Sequence, residues 1–435
     1  MSFSDWESIK INDVCRIRRG ASPRPIQDYI RDKGIPWVKI SDATVSNSRF
    51  INSTNEFIKE EGKEKSRFIK QGTLILSNSA TPGIPKFMGI DACVHDGWLI
   101  VDEFKNITDE FLYYTFINER VKLLNLSNGS VFRNLKTDIV KNYGIKLPPM
   151  SEQKAIAHVL STLDEKIEVN NQINKTLENM AQAIFKQWFV DFEFPNEDGE
   201  PYKSSGGEMV ESELGMIPKG WVVKELGDVV EFQNGYAFKS KDLLDKEQGD
   251  CYHVFKMGHI IKGGGLNKEG TKSFVPKKDC LTLARYLIKK GDLLMCMTDM
   301  KSNVALLGHT ALMDEDDKYI LNQRVGLLRT IDPSIINYPY LYILSNSKDF
   351  IENLRSRANS GVQVNLSTKE IKETLIIVPS KHIHKKYNDI TEKVFAKSFN
   401  IAKENEVLKN ARDTLLPKLM SGEIRVTLDE EGEVS

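Results

Sequence analysis

The chain has 435 residues, 40% hydrophobic and 28% charged, with a formal net charge of −1, which suits a folded soluble protein of two or three domains. The near-neutral charge excludes a globally basic protein that coats nucleic acid, although it allows local basic faces offset by acidic segments. The five cysteines form no CxxC pair, no apolar run approaches the ~18 residues of a membrane span, and the N-terminus lacks a signal-peptide pattern, so we expect a cytoplasmic protein.

Residues 1–150 are predicted to form a first α+β domain. Short apolar runs such as GTLILSNS and GWLIVDEF indicate strands, and TDEFLYYTFINERVKLLN indicates a helix. Basic, amide and hydroxyl side chains fall at the predicted strand ends, and such side chains read base edges or hold phosphates in nucleic-acid complexes. The candidates for nucleic-acid contact in this domain are Arg18, Arg19, Arg24, Lys39, Ser41, Ser77, Asn78, Lys86, Asn128, Arg133 and Lys136. Taken singly, each is better explained as part of a solvated loop, so the case is collective.

A long helix is predicted over residues 151–193. It begins at Ser151, because Pro148-Pro149 ends the preceding segment and the serine can cap the first free N–H groups. The predicted seam advances in steps of four and three residues, which is typical of a coiled coil and requires a partner. Its positions are Ile156, Leu160, Leu163, Ile167, Asn170, Asn174, Leu177 and Ile184. Either the two asparagines set the register of a helix pair at some cost in stability, or they face solvent or another subunit.

The chain then repeats itself after an acidic, Gly- and Ser-rich linker at residues 194–217. WESIKINDVCRIRRG near the start matches WVVKELGDVVEFQNG, FIKQGTLIL matches LIKKGDLLM, and NLKTDIVKNYGIKLPP matches NLSTKEIKETLIIVP. A long helix follows in each half. Any one match of this weakness can arise by chance, but three in the same order, followed in each half by a long helix, indicate an internal repeat.

The repeat predicts a second α+β domain over residues 218–380, with its own loop candidates. These are Gln233, Asn234, Tyr236, Lys239, Lys256, Lys301, Gln323, Arg324, Gln363 and Asn365. The two halves place such loops at matching positions while the loop residues differ. One scaffold carrying different side chains is what a protein needs in order to read two different short DNA sequences.

A second long helix is predicted over residues 381–422, followed by an acidic tail at residues 423–435. Its predicted seam is Ile390, Val394, Ile401, Leu408 and Leu415, interrupted by Lys397 and Glu404. The simplest partner for each long helix is the other one. A helix of roughly 38 residues would be ~57 Å long, so an antiparallel pair is expected to hold the two domains at opposite ends of a rod.

A search for catalytic motifs finds no P-loop, no GxGxxG after a strand and no GxSxG elbow. The glycine-rich KGGGLNKEG lacks the Lys-Ser/Thr and helix of a phosphate loop, so a flexible turn explains it. His382 and His384 have no nearby Cys or third His to complete a metal site, and a solvated helix start explains them better. We therefore predict no metal site and no catalytic residues in this chain.

In these features the chain resembles the specificity (S) subunits of type I restriction–modification enzymes. The resemblance is carried by IKLPPMSEQKAIAHVLSTLDEKIEVNNQINKTLENMAQAIFKQWFVDFEFP, by GEPYKSSGGEMVESELGMIPKGW and by the paired domain openings. It implies an α+β fold with two similar target-recognition domains, each a mixed sheet with helices, joined by a long antiparallel two-helix coiled coil in a pseudo-twofold internal repeat. The segment IIVPSKHIHKKYND departs from the first half's Pro-Pro-x-x-Glu-Gln form, which leaves the start of the second helix and its subunit contacts open.

The resemblance also implies function and partners. Each domain would read half of a bipartite, asymmetric site in double-stranded DNA. Two modification subunits would methylate adenine with S-adenosylmethionine, and two restriction subunits would use ATP and Mg²⁺ to translocate and cut DNA. No cofactor is expected on this chain. Two alternatives remain from the residues alone: a non-DNA adaptor protein with two binding domains spaced by a coiled coil, and a fused nuclease with an unrecognised site.

Overall fold

The structure is a computed structural model that describes residues 6–45, 48–126, 134–300, 304–360 and 363–426. The first half contains the strands β1 Glu7–Lys10, β2 Arg16–Arg19, β3 Ile30–Arg31, β4 Ile35–Val38, β5 Phe50–Ile51, β6 Phe57–Ile58, β7 Arg67–Ile69, β8 Leu74–Ser77, β9 Pro85–Met88, β10 Ala92–Val94, β11 Trp98–Asp102 and β12 Gly144–Leu147. Its helices are α1 Ile11–Val14, α2 Ile40–Val45, α3 Asp109–Asn125, α4 Thr137–Lys141 and α5 Met150–Phe185, which ends in a π-helical turn at Lys186–Val190.

A short hairpin, β13 Met209–Ser212 and β14 Gly215–Pro218, precedes the second half. The strands that follow are β15 Val222–Glu225, β16 Val230–Asn234, β17 Cys251–Phe255, β18 Phe274–Pro276, β19 Leu293–Cys296, β20 Thr298–Met300, β21 Thr310–Leu312, β22 Tyr319–Leu321, β23 Val325–Thr330, β24 Asn359–Ser360, β25 Gln363–Asn365 and β26 Leu375–Val378. The helices are α6 Tyr338–Ser345, α7 Lys348–Ser356, α8 Thr368–Lys372 and α9 Lys381–Ser421. Single 3-10 turns lie at Ile26–Asp28, Glu60–Gly62, Leu226–Asp228, Ser240–Asp242, Met257–His259, Lys277–Cys280 and Ala284–Tyr286.

The sheets of the two halves have corresponding topologies, which confirms the predicted repeat and the α+β class. In the first half the sheets are β2-β11-β8-β9-β5, β3-β6-β4-β10-β7 and the pair β1-β12. In the second they are β16-β23-β19-β21, β18-β17-β22, β20-β25-β24 and the pair β15-β26. The parallel pairing of β4 with β10 has its counterpart in that of β17 with β22.

The central strands are covered on both of their faces. The strand β8 is buried along its whole length, and so is β11 except for its last residue. Strands buried on both faces have continuous apolar sequences rather than alternating ones, as LIL and WLIV show. The helix α3 packs over this core and begins at Thr108, whose side chain accepts a hydrogen bond from the Phe111 N–H at 3.1 Å.

The chain divides into two compact units, one of Met1–Gln172 with Lys403–Ser435 and one of Ile173–Ala402. Each long helix therefore contributes a segment to both units. In the first unit Asp164 Oδ1 lies 2.6 Å from Arg412 Nη1, and Asn170 Nδ2 donates to Asn405 Oδ1 at 2.9 Å. Because positions that advance along α5 meet positions that recede along α9, the two segments pack antiparallel.

The second unit pairs its own two helix segments through aromatic side chains. The ring of Phe189 lies 4.8 Å from the rings of both Tyr340 and Tyr387. Phe185 and Trp188 also contact Tyr387. Aromatic pairs at such separations add to the stabilisation from burial alone, so this cluster joins α5, α6 and α9 into one core.

The predicted seam of α5 is buried or half-buried throughout. Asn170 is 1% exposed and is hydrogen-bonded to both Asn405 and Glu404 of α9, so for this residue the solvent-facing interpretation is wrong. The Oδ1 atom of Asn174 is buried and has no hydrogen-bond partner in the described part of the chain. Asn170 therefore carries the polar contact that the heptad pattern predicted.

The predicted seam of α9 is wrong at Ile390, which is 40% exposed, whereas its neighbour Thr391 is fully buried. Likewise Asn405, and not Glu404, is the buried polar residue. In this stretch Thr391, Phe395 and Phe399 are buried at four-residue steps, and both phenylalanine rings pack against Tyr338, so the buried stripe lies one residue beyond Ile390. The other predicted positions, Val394, Ile401, Leu408 and Leu415, are buried or half-buried.

None of the helices among the described residues is long and apolar enough to cross a membrane.

Candidate nucleic-acid interface

Several strand ends of the first domain meet at the turn His95–Gly97, between β10 and β11. Backbone hydrogen bonds join this turn and its flanks to the ends of β2, β4 and β8: Gly20 N to Trp98 O at 2.8 Å, His95 N to Val38 O at 3.0 Å and Asn78 N to Gly97 O at 2.8 Å. A further bond, from Leu135 N to Asn78 O at 2.8 Å, adds the segment before α4. The predicted contact residues Arg19, Lys39, Asn78 and Lys136 are thus brought together from four distant stretches of sequence.

The second domain repeats this arrangement at the turn Asn322–Arg324, between β22 and β23. The equivalent bonds are Gly235 N to Val325 O at 3.3 Å, Asn322 N to Phe255 O at 3.2 Å, Met297 N to Arg324 O at 3.2 Å and Leu366 N to Met297 O at 3.0 Å. We call each set of converging loops a reading face. The first consists of residues 19–24, 39, 78, 95–97 and 134–136, and the second of residues 234–236, 256, 297, 322–324 and 365–367.

A glycine at the end of the first strand allows each reading face to close. A Cβ atom on Gly20 would lie 2.2 Å from the backbone oxygen of His95, and one on Gly235 would lie 2.1 Å from that of Asn322. Both distances are far below van der Waals contact. Only glycine fits at these positions, because the obstacle is backbone that a rotamer change does not move.

The side chains differ although the backbone pattern is shared. The matching hydrogen bonds identify equivalent positions in the two domains. The equivalent pairs are Arg19 and Asn234, Ala21 and Tyr236, Lys39 and Lys256, Asp96 and Gln323, and Gly97 and Arg324. The first face therefore carries arginine on the strand and a carboxylate on the turn. The second carries an amide on the strand and an arginine on the turn.

Electrostatics on the first face centre on Asp96. Partial burial raises the pKa of Asp96, but the hydrogen bond from Ser22 and the nearby charges of His95, Arg19 and Arg24 outweigh it, and the pKa lies below its usual value. Burial lowers the pKa of His95 more than the Asp96 carboxylate raises it. At neutral pH the face therefore carries an ionised carboxylate among guanidinium groups.

The second face is dominated by amides and aromatic rings. Asn234 Nδ2 donates to Thr368 Oγ1 at 2.9 Å, and Gln233 Nε2 donates to the Arg285 backbone oxygen at 3.0 Å. The Tyr236 ring lies 4.8 Å from Phe238 and is exposed. Gln323 and Arg324 are exposed as well, so this face offers hydrogen-bonding groups and a ring edge to a ligand.

Several other candidates lie at the surface. Ser41, Lys136, Lys239, Gln363 and Asn365 are exposed, and Lys256 is half-exposed. Arg18 is bonded to Asp102, and Lys39 is bonded to Glu56, so each would have to exchange a carboxylate for a phosphate on binding DNA. Asn128, Arg133 and Lys301 lie outside the described residues.

Three candidates are buried, contrary to the expectation that they lie at the surface. The hydroxyl of Ser77 donates to the Thr81 backbone oxygen at 2.7 Å and shapes the β8–β9 turn. Asn78 donates to the Asp96 backbone oxygen at 3.4 Å and supports the first reading face from beneath. Lys86 is bonded to the Ser48 backbone oxygen, and burial lowers its pKa to about 8. The sequence signal failed here because a polar residue next to a strand can equally satisfy buried backbone groups.

Polar contacts that the sequence does not reveal attach the first domain to its helices. Arg49 is buried and pairs with Glu165 at 3.2 Å and Glu168 at 3.4 Å on α5. Asp164 on the same helix accepts a hydrogen bond from the Tyr114 hydroxyl at 2.8 Å. No single-sequence pattern identifies such pairs, because their members are distant along the chain.

The described residues contain no group of three or more His, Cys, Asp or Glu side chains that could hold a metal ion. His384 is buried and its Nε2 accepts a hydrogen bond from the Asn337 N–H at 3.2 Å, while His382 is exposed. The expected solvated environment therefore holds for His382 and is wrong for His384, which caps a buried backbone N–H.

Two copies of one α+β domain, each with a converging face of basic and amide side chains, define the chain as a duplicated recognition protein. A family model described as "Type I restriction modification DNA specificity domain" matches residues 3–179 and 218–410. The chain therefore belongs to the family of type I restriction–modification DNA specificity subunits, as the resemblance predicted. This membership favours DNA sequence recognition over the adaptor alternative.

Similar proteins cover nearly the whole chain. The specificity subunit of the type I restriction enzyme MjaIX of Methanocaldococcus jannaschii is 28% identical over 97% of this chain and 94% of that protein. That of HindI of Haemophilus influenzae is 24% identical over 97% and 100%, respectively. The crystal structure of a type I S subunit from M. genitalium shares the fold, with a TM-score of 0.54 and 17% identity over 95% of this chain and 96% of that one.

Proposed function

We propose that this chain reads a bipartite DNA site, with residues 1–150 recognising one half and residues 218–380 the other. The observation that carries the proposal is the pair of reading faces, which share a backbone hydrogen-bond pattern and differ in the side chains they present. Arginine reads guanine through O6 and N7, and asparagine and glutamine read adenine through N6 and N7. Different side chains on one backbone would therefore select different half-sites.

The two long helices would act as the spacer between the half-sites. Half-sites one DNA turn apart are separated by about 34–36 Å. The helix α5 has 36 residues, and a helix of that length extends over about 54 Å. The hydrogen bond between Asn170 and Asn405 would fix the register of the helices, and hence the gap between the half-sites.

The chain itself would be non-catalytic and would recruit its enzymes. Two modification subunits would supply adenine methylation with S-adenosylmethionine, and two restriction subunits would supply ATP- and Mg²⁺-dependent translocation and cleavage. Support comes from family membership.

The test is co-expression with the modification subunit of the same restriction–modification system, followed by sequencing of methylated DNA. We expect one bipartite motif with a fixed gap, and we expect it to vanish when this chain is deleted. Methylation that persists without the chain, or a motif with a single undivided half, would contradict the proposal. Adding purified restriction subunits should then give cleavage that depends on ATP and on the unmethylated motif.

A further inference from the structure

The first reading face contains an acidic residue among cations, which is unexpected for a surface that approaches DNA phosphates. The Asp96 carboxylate contacts Ser22 Oγ at 2.7 Å, His95 Nε2 at 3.1 Å, Arg19 Nη2 at 3.6 Å and Arg24 Nη2 at 3.8 Å. The backbone oxygen of Asp96 accepts hydrogen bonds from Arg19 Nε at 2.8 Å and from Asn78 Nδ2 at 3.4 Å. One residue thus holds side chains from residues 19–24 and from Asn78, as well as that of its neighbour His95.

These contacts constrain Arg19 more than Arg24. Arg19 is held at two points, by the backbone oxygen and by the carboxylate of the same residue. The side chain of Arg24 is 80% exposed and makes only the 3.8 Å ion pair with the carboxylate, whereas that of Arg19 is 60% exposed and adds the backbone hydrogen bond. The second contact restricts the rotamers of Arg19 before it meets a base, which improves the geometry of a planar, two-point contact.

Comparison of the two domains connects the carboxylate with the arginine. Where the first domain has Arg19 on the strand and Asp96 on the turn, the second has Asn234 and Gln323 at the equivalent positions. The carboxylate is present only in the copy whose strand residue is a cation. This pairing indicates that Asp96 serves Arg19 and not the shared backbone of the turn, which forms equally well with glutamine.

Resting on the proposed function, we propose that Asp96 is the positioning residue that sets discrimination at the half-site read by the first domain. It orients Arg19 toward a base edge. It also opposes binding of Arg19 and Arg24 to phosphates of any sequence, because a fixed negative charge repels the DNA backbone unless the base contacts compensate. Asp96 thereby lowers affinity for wrong sequences more than for the right one.

The experiment compares Asp96→Asn with the wild type, using the full chain together with its methyltransferase subunits. Binding is measured by fluorescence anisotropy on three duplexes. One contains the motif identified by sequencing of methylated DNA, one has its first half-site scrambled, and one has its second half-site scrambled. For Asp96→Asn we expect affinity for the duplex with the scrambled first half to rise by about 3–10-fold. Preference for the intact first half should fall about tenfold, and preference for the second half should stay unchanged.

Asp91→Asn is the matched control, because Asp91 lies before the other end of β10 and its carboxylate pairs with Lys70 at 2.7 Å. It removes the same charge from the same domain, so any general electrostatic effect appears in both variants. Ser22→Ala provides a second variant that keeps every charge but removes the donor closest to the Asp96 carboxylate. It should reduce discrimination at the first half-site in the same direction but by less.

The outcomes separate this inference from the function on which it rests. A wild type that prefers neither half-site would overturn the proposed function. A wild type that discriminates at both, with Asp96→Asn changing no more than Asp91→Asn, would overturn the role of Asp96 alone. An equal loss of preference at both half-sites would also overturn it, because it would indicate general damage. Unchanged thermal unfolding of Asp96→Asn, with the selective loss, would support it.

Discussion

At the scale of single residues, each reading face depends on a glycine, because a residue with a Cβ atom would collide with the neighbouring backbone. Gly20 lies where β2 leaves its sheet, and a Cβ atom there would meet the His95 backbone oxygen at 2.2 Å. The sequence repeat places Gly20 and Gly235 at matching positions, but it does not say why they are glycine. The reason is a close approach between two loops, which only the folded chain shows.

We therefore expect Gly20→Ala to weaken recognition of the first half-site. The added methyl group must push the His95–Gly97 turn away, at a cost of about 1–3 kcal/mol for overpacking. Gly144→Ala is the control, because a Cβ atom there meets nothing within 4 Å. Motif sequencing of both variants should show relaxed methylation at the first half-site for Gly20→Ala only. Equal motifs would show that the turn tolerates displacement.

The burial of Lys86 makes the free energy of unfolding depend on pH. Burial lowers the pKa of Lys86 to about 8 from its usual value of 10.5, so between these two values the unfolded chain binds more protons than the folded chain. Stability should therefore rise as the pH increases from about 8 to 10.5, by an amount of the order of 3 kcal/mol.

Chemical denaturation across this pH range tests the assignment. Lys86→Met keeps the length of the side chain and removes the titrating group, so the rise should be smaller in the variant than in the wild type. The same variant separates a buried role from a DNA-contacting one. If Lys86→Met instead leaves the pH profile unchanged and weakens DNA binding uniformly, Lys86 is a phosphate contact and its buried placement is wrong.

At the scale of secondary structure, the periodicity of both long helices and the seam of α5 were predictable, but the register of α9 at Ile390 was not. Apolar spacing identifies both helices, because it depends on local sequence alone. Which of two adjacent residues is buried depends on the shape of the neighbouring core. In α9 Thr391 lies on the same buried stripe as Phe395 and Phe399, whose rings pack against Tyr338, and Ile390 is exposed.

A pair of isoleucines on this one helix tests the register. Ile401 is 3% exposed and Ile390 is 40% exposed. Ile401→Ala should destabilise the protein by about 2–5 kcal/mol, as truncations in a packed core do. Ile390→Ala should cost at most about 0.5–1 kcal/mol. Urea unfolding monitored by circular dichroism measures both, and equal costs would restore the register expected from the sequence.

The reading faces mark a second limit of local inference. Individual loops were identifiable because basic and amide residues fall beside strands. Their convergence was not, because Arg19, Lys39 and Asn78 are joined by strand pairings between distant segments. The sequence does not identify Asp96 as part of this face for a related reason, since an acidic residue in a turn is ordinarily explained by its local hydrogen bonding.

At the scale of the whole molecule, the duplication provides two recognition domains and two long helices in one chain. Family membership and the shared topology account for the repeat. The spacing of the half-sites is the property that the helices would control under the proposed function. A change in helix length is therefore more informative than any substitution, provided that the pairing of Asn170 with Asn405 is preserved.

Inserting one heptad after Gln172 in α5 and a matching heptad after Ala402 in α9 preserves that pairing. Seven helical residues add about 10 Å, which corresponds to about three base pairs of DNA. We expect the methylated motif to keep both half-sites, because the recognition domains are unchanged, while its gap lengthens by about three base pairs.

The control inserts the heptad in α5 alone. It should abolish methylation, since the antiparallel segments can no longer pair in register. A double insertion that methylates with the original gap would show that the helices do not set the spacing.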